Sequence, residues 1–96
     1  MVQFFISQRD DLVKKILHPQ TGIELKDRVF HFKKYKRTFK GEDAIHWLLN
    51  NKIVNDKVSA IALGNAMLVY GIFSHILNER DFEDSPTVYR ILVSSI

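Results

Sequence analysis

The sequence predicts an α+β fold: three helices, a β-hairpin between the first and second, and a small β-sheet at the C-terminal end. Three observations carry this. Apolar residues recur at helical spacing in three separate stretches. The segment between the first two stretches loses that spacing and fills with β-branched and aromatic residues. Two short runs of strand formers close the chain, joined by an acidic stretch.

The first helix is expected from about Ser7 to Leu17. Ser7 suits the N-cap, and Asp10 and Asp11 suit a first turn whose dipole favours acids. Leu12, Val13, Ile16 and Leu17 form one apolar stripe, and Pro19 and Gly22 end the helix. Gly22 to Asp27 reads as a loop or a short extended piece. Val29, Phe30, Phe32, Tyr35 and Phe39 then read as a hairpin whose tip carries Lys33-Lys34-Tyr35-Lys36-Arg37, although no Asn-Gly pair marks its turn.

Gly41-Glu42-Asp43 opens the second helix, and Ala44, Ile45, Trp47, Leu48 and Leu49 give it a strong apolar face. Asp56 is placed to cap a third helix from Lys57 to about Tyr70, and Gly71 to end it. Val58, Ala60, Ile61, Leu63, Ala66, Met67 and Leu68 cover so much of its circumference that it should be the most buried. Ile72 to Ile76 and Val88 to Val93 are the last two β-type runs. No repeat, low-complexity tract or linker interrupts the order, so one domain, 1–96, is expected, with its core at about 9–93.

Composition fits a folded domain. Of the 96 residues, 46% are hydrophobic and 26% charged, a globular balance rather than a disordered one. The absence of cysteine removes disulfides, thiolate zinc sites and cysteine nucleophiles, and agrees with a reducing compartment. No apolar run approaches the ~20 residues that cross a bilayer. The N-terminal MVQFFISQRDD has neither a basic flank nor a small-residue cleavage pattern, so it reads as neither signal peptide nor anchor.

The net charge of +3 is unevenly spread. Between Lys26 and Lys40, seven bases (Lys26, Arg28, Lys33, Lys34, Lys36, Arg37, Lys40) face one acid, Asp27, a local net of +6. Between Asn78 and Ser85, four acids face Arg80, a local net of −3. Such asymmetry bears on partners rather than on fold.

Gly22-Ile23-Glu24-Leu25-Lys26-Asp27-Arg28, then Tyr35…Thr38-Phe39-Lys40-Gly41-Glu42-Asp43-Ala44-Ile45-His46-Trp47-Leu48-Leu49, resembles the DEP domain. That module is named from Dishevelled and pleckstrin and also occurs in regulators of G-protein signalling. Ala60…Leu63-Gly64…Leu68…Gly71-Ile72-Phe73-Ser74-His75, Phe82…Asp84 and Tyr89-Arg90 continue the pattern. The resemblance implies a three-helix core, winged-helix-like in outline, with a β-hairpin arm between helices 1 and 2 and a small C-terminal sheet. It implies a non-catalytic adaptor that targets its parent multidomain protein to membranes, through acidic lipid headgroups, receptor tails or partner proteins. That in turn implies a cytoplasmic module recruited peripherally. His46 departs from the pattern, standing where many members carry Asp before the Trp.

Lys33, Lys34, Lys36 and Arg37, with Lys26, Arg28 and Lys40 nearby, are therefore the candidate lipid- or partner-binding residues. Each base near an anionic surface is worth about 1 kcal/mol. Tyr35, within the cluster, is expected to place its amphipathic ring at headgroup level. The plain alternative is a solvated tip whose lysines blunt a sheet edge. Arg28 suits a phosphate or an internal pair with Asp27 or Glu42. Phe39, Trp47, Leu48, Leu63, Leu68 and Tyr89 are expected in the core.

Other chemistry finds little support. His18, His31, His46 and His75 share no metal-ligand spacing, though protonation of His31 or His46 would add charge for a lipid surface. No nucleophile elbow, glycine-rich phosphate loop or carboxylate pair on a regular element supports an enzyme or a bound cofactor. The competing readings are a pure protein-interaction module, for a receptor tail or G-protein-signalling regulator, and a winged-helix nucleic-acid binder. The last is disfavoured because the third helix carries only Lys57.

Overall fold

The computed structural model describes residues 2–93, with side chains from Asp10 onward. Helix α1 spans Val2–Leu17. The backbone is already helical through Ser7, so Ser7 does not cap it, and Asp10 and Asp11 lie in mid-helix rather than in a first turn. No glycine or proline stands before Ser7, and nothing breaks the ladder there. Leu12, Val13 and Ile16 are buried. His18 closes the end: its Nδ1 accepts from the backbone N–H groups of Gln20 and Thr21, each at 3.2 Å.

Strands β1 (Lys26–Phe30) and β2 (Lys33–Lys40) form the hairpin. The turn between them is His31-Phe32, with φ of 51° and 66°. Two central residues with positive φ make the mirror-image turn that suits the right-handed twist of a hairpin. The tip is therefore not the lysine cluster. Lys33 to Arg37 belong to the ascending strand, and an aromatic residue holds the apex. Asp27 faces both Lys36 and Arg37 across a bulge, with Arg37 at φ 55°.

Helix α2 (Gly41–Asn50) follows at once and has no side-chain cap. Its first N–H groups are met from a distant loop, Gly41 donating to the Thr87 carbonyl and Glu42 to the Ser85 carbonyl, both at 2.9 Å. Helix α3 (Lys57–Val69) is capped by Asp56, whose carboxylate accepts from the Ser59 N–H at 2.7 Å. Gly71, at φ 77°, ends it, with Gly71 N–H bonding Leu68 O and Ile72 N–H bonding Met67 O.

Strands β3 (Phe73–His75) and β4 (Val88–Ile91) pair antiparallel, and β4 also pairs with β2. The hairpin and the C-terminal strands are thus one antiparallel sheet, in the order β1-β2-β4-β3. Its helix-facing side presents Phe39, Tyr89, Phe73 and Ile91 to Leu12, Val13, Ile45, Leu48 and Leu63. The rings of Phe39, Phe73, Phe82 and Tyr89 meet at centroid distances of 5.1–5.8 Å. Leu68 and Trp47 pack against this core while only partly buried. On the opposite side Tyr35, Ile76 and Val88, with Phe30, make a smaller cluster to which no helix contributes among the described residues.

Candidate functional site

The arm has two faces, fixed by its register. Arg28 stands opposite Tyr35 and Phe30 opposite Lys33 on one face, with Val29 opposite Lys34 on the other. Lys36 joins the second face by alternation. Lys33, Lys34 and Lys36 are exposed, and Phe32 at the apex is fully so, at 105%. An exposed phenylalanine in the left-handed region is unusual, costing about 1–2 kcal/mol against an ordinary conformation, and such strain tends to sit where a chain has a task.

Tyr35 is 9% exposed and packs on Ile76 and Val88, so its ring does not reach out to headgroup level. The reason is tertiary: the β2–β4 pairing covers that face, and the bulge at Arg37 puts Tyr35 and Thr38 on the same side. Phe32 takes the exposed position in its stead. No local signal in the sequence marked Phe32, because the facing of Tyr35 depends on the β2–β4 pairing.

The remaining bases divide into free and anchored. Lys34 lies 3.5 Å from the Asp27 carboxylate and Lys26 3.3 Å from Glu24, both as solvent-exposed pairs worth little. The Lys33 ammonium lies over the Tyr35 ring, 5.3 Å from its centroid. Lys36 has no partner among the described residues. Arg37 is tied down, its Nη2 donating to the Val93 carbonyl at 2.8 Å and its backbone N–H to Asp27. Arg28 is partly buried and bonds neither Asp27 nor Glu42; its Nη1 donates to Thr38 Oγ1 at 2.6 Å. Lys40 is half-buried at the start of α2.

The acidic segment is held from within. Arg80 pairs with Glu83 and Lys57 with Asp84, both at 3.2 Å. Asn65 of α3 holds the segment by two bonds, accepting from Phe82 N–H at 3.0 Å and donating to Phe82 O at 3.2 Å. The Tyr89 hydroxyl donates to the Asp81 carbonyl and accepts from Glu83 N–H. Its ionisation is pushed up, chiefly by burial. His75 is also buried. Its Nδ1 accepts from Leu77 N–H at 3.2 Å and Glu79 N–H at 3.3 Å, and burial lowers its pKa below 6.5.

Trp47 donates from Nε1 to the Thr21 carbonyl at 2.8 Å and borders a shallow groove of about 280 Å³ with Glu24, Asp43 and His46. Two carboxylates there make the wrong sign for an anionic surface. Among the described residues no group of three metal-ligating side chains converges, and no helix is long and apolar enough to cross a membrane.

The fold is a helix-backed antiparallel sheet with a basic arm. The chain belongs to the DEP family, described as the domain found in Dishevelled, Egl-10 and Pleckstrin, whose sequence pattern matches residues 22–91. Its relatives include the vacuolar membrane-associated protein iml1 of Schizosaccharomyces pombe, 33% identical over 81 residues that are 83% of this chain and 5% of that protein. The human 1-phosphatidylinositol 3-phosphate 5-kinase is 32% identical over 90 residues, 92% of this chain and 4% of that protein. The chain therefore spans about one twentieth of the relatives it matches. The solution structure of the mouse pleckstrin2 DEP domain superposes with a TM-score of 0.73 at 20% identity, covering 94% of this chain and 85% of that one. The human pleckstrin DEP domain does so with a TM-score of 0.71 at 18% identity, covering 84% and 72%. The DEP domain is a non-catalytic signalling and membrane-targeting module.

Proposed function

We propose that this domain docks its parent protein on anionic membrane surfaces through the hairpin arm. Phe32 enters the headgroup region while Lys33, Lys34 and Lys36 lie over the lipid phosphates. The observation that carries the reading is the full exposure of Phe32 at the apex of a basic arm. The membrane association in the name of the fungal relatives agrees with it.

The energetics suit reversible recruitment. Three lysines at about 1 kcal/mol each, with about 1.5–3 kcal/mol for a buried phenylalanine, amount to roughly 4.5–6 kcal/mol. That corresponds to affinities from sub-millimolar to some tens of micromolar. Such docking weakens with salt and acts in concert with a second contact made elsewhere in the parent protein.

One observation favours a protein partner as a second reading. Val58, Val69 and Tyr70 of α3 and its end are exposed, as is Leu92. The nucleic-acid reading gains nothing, since Lys57, the one base on α3, is paired with Asp84.

Co-sedimentation with vesicles of phosphatidylcholine alone, or with added phosphatidylserine or phosphoinositide, tests the reading at low and physiological salt. Binding only to anionic vesicles, reduced tenfold or more by Phe32→Ser and abolished by Lys33→Glu/Lys34→Glu/Lys36→Glu, is expected. Folded protein that ignores every vesicle would sink membrane docking and turn the search to α3 and a protein partner.

A further inference from the structure

The sheet carries a second feature that arm docking does not use. In register across all four strands, Ser74 of β3 stands opposite Arg90 of β4, Arg90 opposite Thr38 of β2, and Thr38 opposite Lys26 of β1. Strand alternation puts this row on the side away from Phe39, Tyr89 and His75, and so away from the helices. Arg28 and Lys40, two residues along from Lys26 and Thr38, share that side.

Thr38 is thus flanked by two guanidinium side chains. Arg28 reaches it from β1, and Arg90 stands beside it on β4. The Thr38 hydroxyl proton is spoken for by the Lys26 carbonyl, at 2.6 Å. The Nε of Arg90 is sealed from solvent with no hydrogen-bond partner, and so is the Ser74 hydroxyl on the next strand. Arg90 as a whole is only partly buried. Arg28, Arg90 and Lys40 take part in none of the ion pairs among the described residues.

Packing alone accounts poorly for this arrangement. Like charges on neighbouring strands repel, and a buried donor without a partner is unfavourable. An apolar side chain fills such space without either cost. A bound anion offsets the repulsion between the two guanidinium groups.

We infer that this helix-free face is a phosphate-binding seat, in which Arg90 and Arg28 hold a phosphomonoester from either side of Thr38, with the Lys40 charge completing it. Two planar forks and an ammonium match a dianion with three terminal oxygens better than a carboxylate with two. The seat lies on the opposite face from Lys34 and Lys36 and needs neither them nor Phe32, so it goes beyond arm docking. A phosphorylated lipid headgroup and a soluble inositol phosphate offer the same chemistry.

The test is an NMR titration of the ¹⁵N-labelled domain with inorganic phosphate and with inositol 1,4,5-trisphosphate, at constant ionic strength with chloride as control. Saturable shifts of the Arg90 and Arg28 Nε–H signals and of the Ser74 amide are expected, with none from chloride. Arg90→Lys keeps the charge, loses the fork, and is expected to weaken binding about tenfold or more. Vesicles bearing the same headgroup separate the sources: a response to both marks a lipid ligand, and a response to the soluble ester alone marks a free one, each supporting the seat. A linear, chloride-like response, or one lost in Lys34→Glu/Lys36→Glu yet retained in Arg90→Lys, overturns it. If Lys34→Glu/Lys36→Glu loses vesicle binding but keeps the Arg90 shift, the two sites are separate.

Discussion

Gly64, in the middle of α3, lies flat against the ring of Phe82, so closely that a Cβ on Gly64 would overlap the ring carbons. That contact lets the acidic segment close over α3, where Asn65 then holds it by two hydrogen bonds. In an unobstructed helix, Gly→Ala gains about 1 kcal/mol from propensity. Here the overlap forces Phe82, 2% exposed and among four packed rings, out of place. Overpacking of this kind costs about 1–3 kcal/mol, so the sign reverses. Gly64→Ala is expected to lower Tm, by about 4–8 °C per kcal/mol lost in a domain of this size. A thermal melt by circular dichroism reads it.

The hairpin apex sets stability against docking. His31 and Phe32 both occupy the left-handed region, which Asn-Gly adopts at far lower cost. His31→Asn/Phe32→Gly is expected to stabilise the fold by about 1–2 kcal/mol, allowing for the strain released at each position. The same variant is expected to bind anionic vesicles more weakly, because the apical ring is gone. Denaturant unfolding and vesicle co-sedimentation on one preparation give both numbers. Unchanged vesicle binding would leave docking to the lysines alone.

His75 makes stability depend on pH. Burial holds its folded pKa below 6.5, with Glu79 and Glu83 partly opposing that effect and Arg80 adding to it; the Tyr89 ring packs edge-on against it. The unfolded chain takes up the proton at about 6.5, so in this window the unfolded state binds more protons than the folded one. Stability is then complete above about 6.5 and falls as pH drops through the lower, folded value. Protonated Nδ1 also ceases to accept from Leu77 and Glu79. Tm measured from pH 7.5 to 5 is expected to decline, and His75→Asn, which offers an uncharged acceptor, is expected to flatten the decline.

Asp56 illustrates a local effect of known size. Its carboxylate is the side-chain cap of α3 and bonds the Ser59 N–H. Asp56→Ala is expected to cost about 1 kcal/mol, and Asp56→Ser to restore most of it. Urea denaturation midpoints of the three proteins check the order.

The Tyr89 hydroxyl joins β4 to two backbone groups of the acidic segment, Asp81 O and Glu83 N–H. Tyr89→Phe keeps the rings and removes both bonds, leaving two half-buried backbone groups unpaired. A loss of about 1–3 kcal/mol is expected, with faster amide exchange at Glu83 as the local sign that separates it from a general loosening.

Most of the helical layout was legible in the residues. The Asp56 cap, the Gly71 stop and the apolar stripe of Leu12, Val13 and Ile16 all act within a few positions of one another, so their meaning does not wait on the rest of the fold. Ser7 failed as a cap because capping preference is outweighed when the residues before it continue the helix. The aromatic and apolar core residues were legible for the same local reason that burial follows side-chain chemistry.

The site was a different matter. Charge composition alone marked the basic arm, because a count of lysines needs no geometry. Which of Tyr35 and Phe32 faces the solvent was decided by register, and a one-residue change of register exchanges the two faces of a strand. That register depends on the pairing of β2 with β4, whose residues lie some fifty positions apart, and on the bulge at Arg37. The alignment of Ser74, Arg90 and Thr38 on one face likewise exists only once three strands from distant parts of the chain lie side by side. Local spacing carries the elements of this protein; long-range strand pairing decides which side chains they present.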